Sequence, residues 1–145
     1  MTKPSAAQQQ LYQQLLTCLR GDWHSMVVVP ASPGQSAAMV ANALVEVSTL
    51  VRGKKAELFS AEGKEVNDVS KVIVEMMQHI GNGGLAISSI DSVIASQSGI
   101  PVTLAVDVAL LVVNLGLTDT EDAKRTVEMI GAKKFLGAVT IEAES

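Results

Sequence analysis

The stretch VVVPASPGQSAAMVANAL, residues 27–44, determines how the whole sequence is interpreted. Three consecutive valines run into a loop that contains proline and glycine, and the loop opens into a segment with helical character. A buried strand, a glycine-containing loop and a helix in this order are typical of a phosphate-binding loop. Such a loop ends in Gly-Lys-Ser, whereas this one reads Ser36, Ala37, Ala38.

The side chains that act on a phosphate are missing from this loop. A working phosphate loop uses glycines to let backbone N–H groups curl around the phosphates, a lysine to meet the β- and γ-phosphates, and a hydroxyl to hold magnesium. Gly34 is the clear remnant, because Ala37 and Ala38 carry neither a charge nor a hydroxyl. The N-terminus of the following helix still offers free N–H groups, which hold an anion weakly. A strand-to-helix turn without a ligand is the interpretation we favour.

Apolar periodicity predicts alternating helices and strands along the rest of the chain. The last helix has a capping box at its start, formed by Thr118 and Glu121, and Gly131 at its C-terminal cap. The predicted elements are a helix near 5–20, a strand at 26–29, a helix near 36–51, a strand at 56–59, a helix near 67–80, a strand at 85–89, a short helical stretch near 97–105, a strand at 108–113, a helix from 118 and a strand at 134–141.

This order predicts the fold class. Strands separated by helices of this length imply right-handed crossovers, and the unbroken apolar strand at 108–113 is typical of a sheet covered on both faces. We therefore predict an α/β fold, with a doubly wound, mainly parallel sheet flanked by helices. No internal repeat or flexible linker divides the chain, so residues 1–145 are predicted to form a single domain.

Composition excludes several classes of protein. The apolar runs stop well short of the roughly 20 residues that cross a bilayer, so no membrane insertion is expected. The polar N-terminus lacks the pattern of a signal peptide, which favours a cytoplasmic location. Cys18 is the single cysteine, so its expected role is packing on a helix. A formal net charge of −4, scattered basic residues and 3% aromatic residues argue against nucleic-acid binding.

Several motifs together resemble one family. Residues 33–39 follow, without a gap, a loop of the form Pro-Gly-Glu-Gly-Lys-Ser-Thr, and Asn42 matches an asparagine in the next helix. LAISSIDSV, residues 85–93, matches a strand that ends at a metal-binding aspartate, and residues 118–140 match the terminal threonine, helix, glycine and strand. The whole chain resembles the ATPase domain of bacterial tyrosine kinases, the capsule and exopolysaccharide regulators related to partitioning and division-site ATPases. The resemblance implies a P-loop NTPase-like fold.

The sequence departs from this family at each motif that carries chemistry. Ser89 stands where the family has its magnesium-coordinating aspartate, with Asp91 two residues further on. The Asp-x-Asp motif corresponds to ELFSAE, residues 57–62, where its first aspartate is absent and Glu62 is a doubtful stand-in. The charged pattern Glu-x-x-Arg-x-x-Arg, used by the family to assemble rings, is replaced by an uncharged set at Gln10, Gln13 and Leu16. The clustered C-terminal tyrosines are missing too, since Tyr12 is the only tyrosine.

These departures predict no catalytic residue, no cofactor and no bound metal. The loop residues are then vestigial, as is the acidic-motif position Ser89 with Asp91 nearby. For Asp91 we favour a turn or helix cap over a metal ligand, and for Ser88 and Ser89 hydrogen bonds to neighbouring backbone groups over a polar pocket. The vestigial loop comprises Pro33, Gly34, Gln35, Ser36, Ala37 and Ala38.

Other residues of chemical interest have plain structural interpretations. His24 and His79 lie in different segments, have no partner four residues away, and lack the acidic or cysteine company that would suggest metal binding, so both are treated as surface or structural residues. Trp23 precedes the first strand, where a role in folding over the sheet is favoured over a role as a partner's anchor.

The resemblance leads to one hypothesis with two alternatives. The first is a non-catalytic pseudo-ATPase or pseudokinase that acts as a regulatory or scaffold partner in bacterial exopolysaccharide or capsule biosynthesis and export. It would bind a protein of a membrane-associated complex, which could recruit it to the inner membrane. One alternative is a module that binds a nucleotide, nucleotide sugar or dinucleotide without hydrolysing it. The other is residual ATPase activity through lysines from elsewhere, such as Lys54 or Lys64.

The N-terminal helix carries a separate prediction about assembly. Loss of its charged pattern predicts that the family's ring does not form. Its apolar residues keep a homodimer open as an alternative. These residues are Leu11, Leu15, Leu16 and Leu19.

Overall fold

The chain folds into one parallel sheet with helices on both faces. The computed structural model describes residues 6–142, apart from the side chain of residue 7. The elements in chain order are α1 (Ala6–Cys18), β1 (Ser25–Pro30), α2 (Ala38–Arg52), β2 (Ala56–Ser60), α3 (Val66–Gly81), β3 (Leu85–Ser89), α4 (Ile100–Ala105), β4 (Val108–Leu115), α5 (Thr120–Ile130), a 3-10 turn (Ala132–Lys134) and β5 (Phe135–Glu142).

The five strands lie in the order β2-β3-β1-β4-β5. Every strand pairing in the described sheet is parallel, and Val27 of the central strand β1 lies opposite Ser88 of β3 and Ala109 of β4. The burial of all six residues of β1 follows from this central position. The predicted doubly wound, mainly parallel α/β fold is confirmed, and all the strand pairs in the described sheet are parallel.

Two apolar layers cover the sheet, one on each face. The alternation of β1 sends Val28 into one layer and Val27 and Val29 into the other, because neighbouring side chains of a strand point to opposite faces. Buried residues of α1 and α2 belong to the first layer. Buried residues of α3 and α4 belong to the second, together with half-buried residues of α5.

Helix α1 uses its leucines inside the chain rather than on its surface. Leu11, Leu15 and Leu19 are 6%, 0% and 6% exposed and pack in the first layer, whereas Leu16 is 48% exposed. Most of the leucines expected to form a homodimer surface therefore pack in the protein's own core. Cys18, at the end of the helix, packs partly buried against the same layer, as predicted. Burial raises the pKa of its thiol.

The last helix begins differently from the prediction. Its N-cap is Asp119, whose carboxylate accepts from the Glu121 N–H at 2.8 Å. Thr118 does not form the capping box, because its hydroxyl accepts from the Asn114 N–H at 2.8 Å and donates to Gln35 Oε1 at 3.0 Å. The predicted C-cap at Gly131 is confirmed, with φ of 106°.

The strand predicted at 85–89 is observed as β3, and most of the other boundaries shift by one to three residues. The short helix predicted near 97–105 begins at Ile100, after a turn. Lys134 belongs to the 3-10 turn, so the last strand begins at Phe135. Within residues 6–142, no helix combines the length and apolar character needed to cross a membrane.

Candidate functional site

The predicted site lies at the carboxyl edge of the sheet, where ligands usually bind in open parallel sheets. The chain leaves β1 towards α2 on one face, and it leaves the neighbouring β3 towards α4 on the other. The loops that follow the adjacent strands β1 and β3 therefore run to opposite faces of the sheet. The loop after β1, the loop after β2 and the start of the loop after β3 meet at this point, which brings together residues that are far apart in sequence.

The loop after β1 contains a glycine in a left-handed conformation but no lysine. Gly34 has φ of 80°, a left-handed conformation that other residues rarely adopt. Ala37 is fully buried and belongs to the apolar layer beneath the loop. Pro33 and Gly34 are exposed to solvent, and Ala38 begins α2. The position that would carry the phosphate-binding lysine thus serves core packing in this chain.

Side chains of the β4–α5 connection hold one side of the loop. Gln35 Oε1 accepts from the Thr118 hydroxyl at 3.0 Å, and Ser32 Oγ accepts from the Asp119 N–H at 3.1 Å. The buried Thr126 hydroxyl of α5 lies 3.1 Å from the Ala31 carbonyl, to which it donates. The loop is therefore fixed by direct contacts with the neighbouring connection.

A carboxylate holds the other side of the loop. Ser36 Oγ accepts from the Ala38 N–H at 3.1 Å, which satisfies a free amide of the first turn of α2. The same hydroxyl donates to the Glu62 carboxylate, whose two oxygens lie 3.2 and 3.3 Å away. Glu62, the doubtful stand-in for the second acidic motif, therefore lies beside the loop. It places an anion near the helix N-terminus, where a phosphate would otherwise bind.

Side chains at the end of β3 and in the loop that follows it contact the end of β2 and the loop after it. Asp91 Oδ2 accepts from the Gly63 N–H at 2.7 Å, so this aspartate joins the loop after β3 to the loop after β2 instead of capping its own turn or the next helix. Ser88 donates to the Phe59 carbonyl at 2.7 Å, which confirms its predicted backbone role. Ser89 is fully buried, and its hydroxyl lies 3.5 Å from that of Ser60.

The two lysines considered as substitutes lie elsewhere. Lys54 precedes β2 and is therefore at the amino edge of the sheet, opposite the loop. Lys64 follows β2 at the correct edge, but it lines a groove between β2 and α3. Among the described residues, no three His, Cys, Asp or Glu side chains lie close enough together to hold a metal ion.

His79 has an acidic neighbour that its sequence surroundings do not reveal. Its Nδ1 lies 3.3 Å from Glu57 Oε2, and its Nε2 lies 3.0 Å from the Lys55 carbonyl. The ring also packs against Phe59, with centroids 5.6 Å apart. The expectation that His79 has no acidic partner was wrong, but these contacts join α3 to β2 and are structural, as predicted.

Trp23 has the predicted role in folding. It is 4% exposed, its indole N–H donates to the Cys18 carbonyl at 3.3 Å, and Arg52 lies over its ring at 4.7 Å. His24 is exposed beside it, and its backbone N–H donates to Asp107 at 2.8 Å. These contacts lie at the amino edge of the sheet, away from the vestigial loop.

A separate cavity opens between α1, α2 and the ends of β4 and β5, with a volume of about 530 Å³. Tyr12, Glu46 and Glu142 contribute to its lining from three different elements. No sequence motif links these positions, so the cavity could not be predicted, and it forms only where α1 packs against α2 and β5.

Comparisons with known proteins support the fold. By sequence, the chain matches no protein-family profile and no curated protein. Its structure is similar to that of the kinase domain of Escherichia coli tyrosine kinase ETK, with a TM-score of 0.62 and 14% sequence identity. The match covers 93% of this chain and 72% of that chain. The chain therefore has a bacterial tyrosine kinase-like α/β fold.

Proposed function

We propose that this chain is a non-catalytic pseudo-ATPase or pseudokinase that acts by binding another protein. The observation that supports the proposal most directly is the contact between Ser36 and Glu62. In place of a lysine and a magnesium-binding hydroxyl, the loop has Ala37 and Ala38 and is held by a carboxylate. In this proposal, the chain retains the fold because its surface binds a partner, and the loop takes no part in phosphate chemistry.

Electrostatics is the physical reason. A phosphate charge about 4 Å from the Glu62 carboxylate would be repelled by roughly 1 kcal/mol in water and by about 4 kcal/mol at an effective dielectric constant of 20. The charge that develops during phosphoryl transfer normally needs a nearby cation or hydrogen-bond donors. The same repulsion argues against a nucleotide, nucleotide sugar or dinucleotide bound without hydrolysis at this loop.

The biological setting of the proposal comes from the sequence resemblance. The family that the motifs resemble regulates capsule and exopolysaccharide production, and the structural neighbour is a tyrosine kinase. We infer a regulatory or scaffold role in bacterial exopolysaccharide or capsule biosynthesis and export. The chain would be cytoplasmic and would be recruited to the inner membrane by its partner.

A titration with ATP and magnesium tests the loss of the nucleotide site. We expect no heat and no change in melting temperature at millimolar ATP, and the same for a nucleotide sugar and a cyclic dinucleotide. Glu62→Gln serves as the matched variant, because it removes the repelling charge and leaves the fold's backbone contacts intact. Saturable binding of ATP to the unmodified protein, or magnesium-dependent phosphate release that Ser36→Ala abolishes, would contradict the proposal.

A capture experiment tests the interaction role. The immobilised protein is incubated with a detergent-solubilised bacterial membrane fraction, and the Glu62→Gln variant is used in parallel. We expect a specific membrane protein to be retained equally by both, because the proposed role does not use the loop. Retention that requires added ATP would overturn the proposal.

A further inference from the structure

The cavity between α1, α2 and the ends of β4 and β5 has the size of a binding site. Its volume of about 530 Å³ lies within the range of roughly 300–1,000 Å³ that is common for ligand pockets. It is distinct from the vestigial loop, because none of residues 31–38 contributes to its lining. Leu11 and Met39 provide apolar lining, and Met39 is 57% exposed.

The charged groups of this cavity are all of one sign. Glu46 of α2 and Glu142 at the end of β5 both line it, and both are exposed. Neither carboxylate takes part in an ion pair within residues 6–142, and none of the described lining residues is lysine, arginine or histidine. A charge of this sign disfavours phosphates and favours a cation.

Aromatic and amide groups add to this preference. Tyr12 lines the cavity and is half-buried against the core, so its position is fixed by packing. The face of a tyrosine ring attracts a guanidinium or ammonium group. Asn42 uses its amide N–H to donate to the Ala38 carbonyl at 3.0 Å, which leaves its side-chain oxygen as an acceptor. The cavity therefore combines hydrogen-bond acceptors with an aromatic side chain, a combination that suits a donor-rich cation.

We propose that this cavity is the docking site for a protein segment that inserts an arginine side chain. The apolar stem of the arginine would pack on Leu11 and Met39, and its guanidinium would lie between the carboxylates and Tyr12. Charge complementarity favours arginine over lysine. The planar guanidinium has five N–H donors and matches two carboxylates better than the compact ammonium group of lysine does. This inference rests on the proposed function, for which it identifies the partner-binding surface.

Nuclear magnetic resonance on the full chain tests the site directly. The probes are the capped tripeptide acetyl-Leu-Arg-Leu-amide and its neutral isostere with citrulline in place of arginine. We expect saturable shifts of the backbone amides of Tyr12, Glu46 and Glu142, with at least tenfold weaker binding of the citrulline peptide. In the double variant Glu46→Gln/Glu142→Gln, the arginine peptide should bind no better than the citrulline peptide does to the unmodified protein.

The controls separate the outcomes. Glu128→Gln, on the exposed side of α5 across the sheet, removes one carboxylate and should leave binding unchanged. Equal binding of the two peptides, or shifts confined to another surface, would overturn the inference. Agmatine that binds as tightly as the arginine peptide would also overturn it, because the site would then select a small amine rather than a segment.

The same double variant distinguishes this inference from the proposed function. If the membrane-fraction partner is retained by the unmodified protein and lost by Glu46→Gln/Glu142→Gln, both stand. If both proteins retain the partner, the docking site is wrong and the proposed function is unaffected. Away from the cavity, the nuclear magnetic resonance spectra of the unmodified protein and of the double variant must overlay. This shows that the variant is folded, so that a loss of binding reports on the removed carboxylates.

Discussion

At the scale of single residues, Ser36 shows how a binding loop can be held without a ligand. Its hydroxyl accepts from the backbone of α2 and donates to Glu62 of another connection. The sequence predicts the loop and its missing lysine, because these are local properties of residues 33–38. It does not predict the contact with Glu62, because the two residues are 26 positions apart and meet only when β1 and β2 lie in one sheet.

Replacement of Ser36 tests the strength of this contact. We expect Ser36→Ala to lower the free energy of unfolding by about 0.5–2 kcal/mol, because it leaves an amide at the start of α2 without its side-chain acceptor. Urea denaturation gives this difference. Ser36→Thr, which retains a hydroxyl, should recover most of the stability. Identical midpoints for Ser36→Ala and the unmodified protein would show that the hydroxyl contributes nothing.

Gly99 provides a second prediction, which depends on space rather than on backbone conformation. Its φ is −83°, which any residue adopts, but an added Cβ would lie 2.8 Å from Ile90 Cβ and 2.9 Å from Ile90 Cγ2. Ile90 is fully buried at the end of β3. We expect Gly99→Ala to destabilise the protein by about 1–3 kcal/mol, because α4 must move away from the sheet.

Gly81 is the matched control for this prediction. It lies in the last turn of α3 with no heavy atom within 4 Å of the position of an added Cβ. Gly81→Ala should be neutral or should stabilise the protein by about 0.4–1 kcal/mol, because alanine restricts the unfolded chain. Thermal unfolding of the two variants checks both values. A stable Gly99→Ala variant would mean that α4 is not held against Ile90.

At the scale of whole elements, strand and helix positions could be predicted because hydrophobic periodicity is a local signal. The predicted strand at 85–89 is the observed β3, and other boundaries differ by only a few residues. The predictions from sequence fail where tertiary contacts determine the position of a side chain. Thr118 fails as a cap because Gln35 and Asn114 engage its hydroxyl, and the leucines of α1 face the chain's own core.

The two edges of the sheet are each covered in part by a side chain from a helix. On β5, Gln14 of α1 donates to the Thr140 carbonyl and accepts from the Thr140 N–H, both at 2.9 Å. At the start of β2, the Thr49 hydroxyl accepts from the Ala56 N–H at 3.1 Å. An uncovered edge strand is a template for pairing with another chain, so these contacts block part of each edge against such pairing.

Replacement of Gln14 tests the protection of the β5 edge. We expect Gln14→Ala to cost about 1 kcal/mol in stability, because two hydrogen bonds to the strand are lost. It should also produce concentration-dependent association, which light scattering detects. Gln13→Ala is the control, since the exposed side chain of Gln13 makes no hydrogen bond to the rest of the described chain. Association of the Gln13 variant alone would contradict this role for Gln14.

At the scale of the whole molecule, the surface on which the proposed function depends is not apparent in the sequence. The loop at residues 33–38 could be located because it is continuous in sequence, and its vestigial character stays a prediction. The cavity that contains Tyr12, Glu46 and Glu142 could not be predicted, because its lining comes from four elements, α1, α2, β4 and β5, that only the packed fold brings together. Because one fold can carry different sites, the proposed docking cavity requires no change in the architecture of the sheet.

The single-domain prediction for residues 1–145 is best tested across the sheet. Met76 is fully buried in the layer beneath α3, and Trp23, the sole tryptophan, is buried in the layer on the opposite face. Met76→Ala should lower the free energy of unfolding by about 2–5 kcal/mol, because it leaves a cavity in the core. If both layers unfold together, Trp23 fluorescence and far-ultraviolet circular dichroism will shift to the same lower midpoint.

A control on the same helix makes this test specific. Val74→Ala changes a side chain that is 56% exposed, so its effect should stay within about 0.5 kcal/mol. The decisive result is the comparison of the two probes in Met76→Ala. If the fluorescence midpoint of Trp23 stays at the wild-type value while the circular dichroism midpoint falls, the two layers unfold separately. If both midpoints fall together, the stability lost in one layer is also lost in the layer on the other face of the sheet, as a single cooperative domain requires.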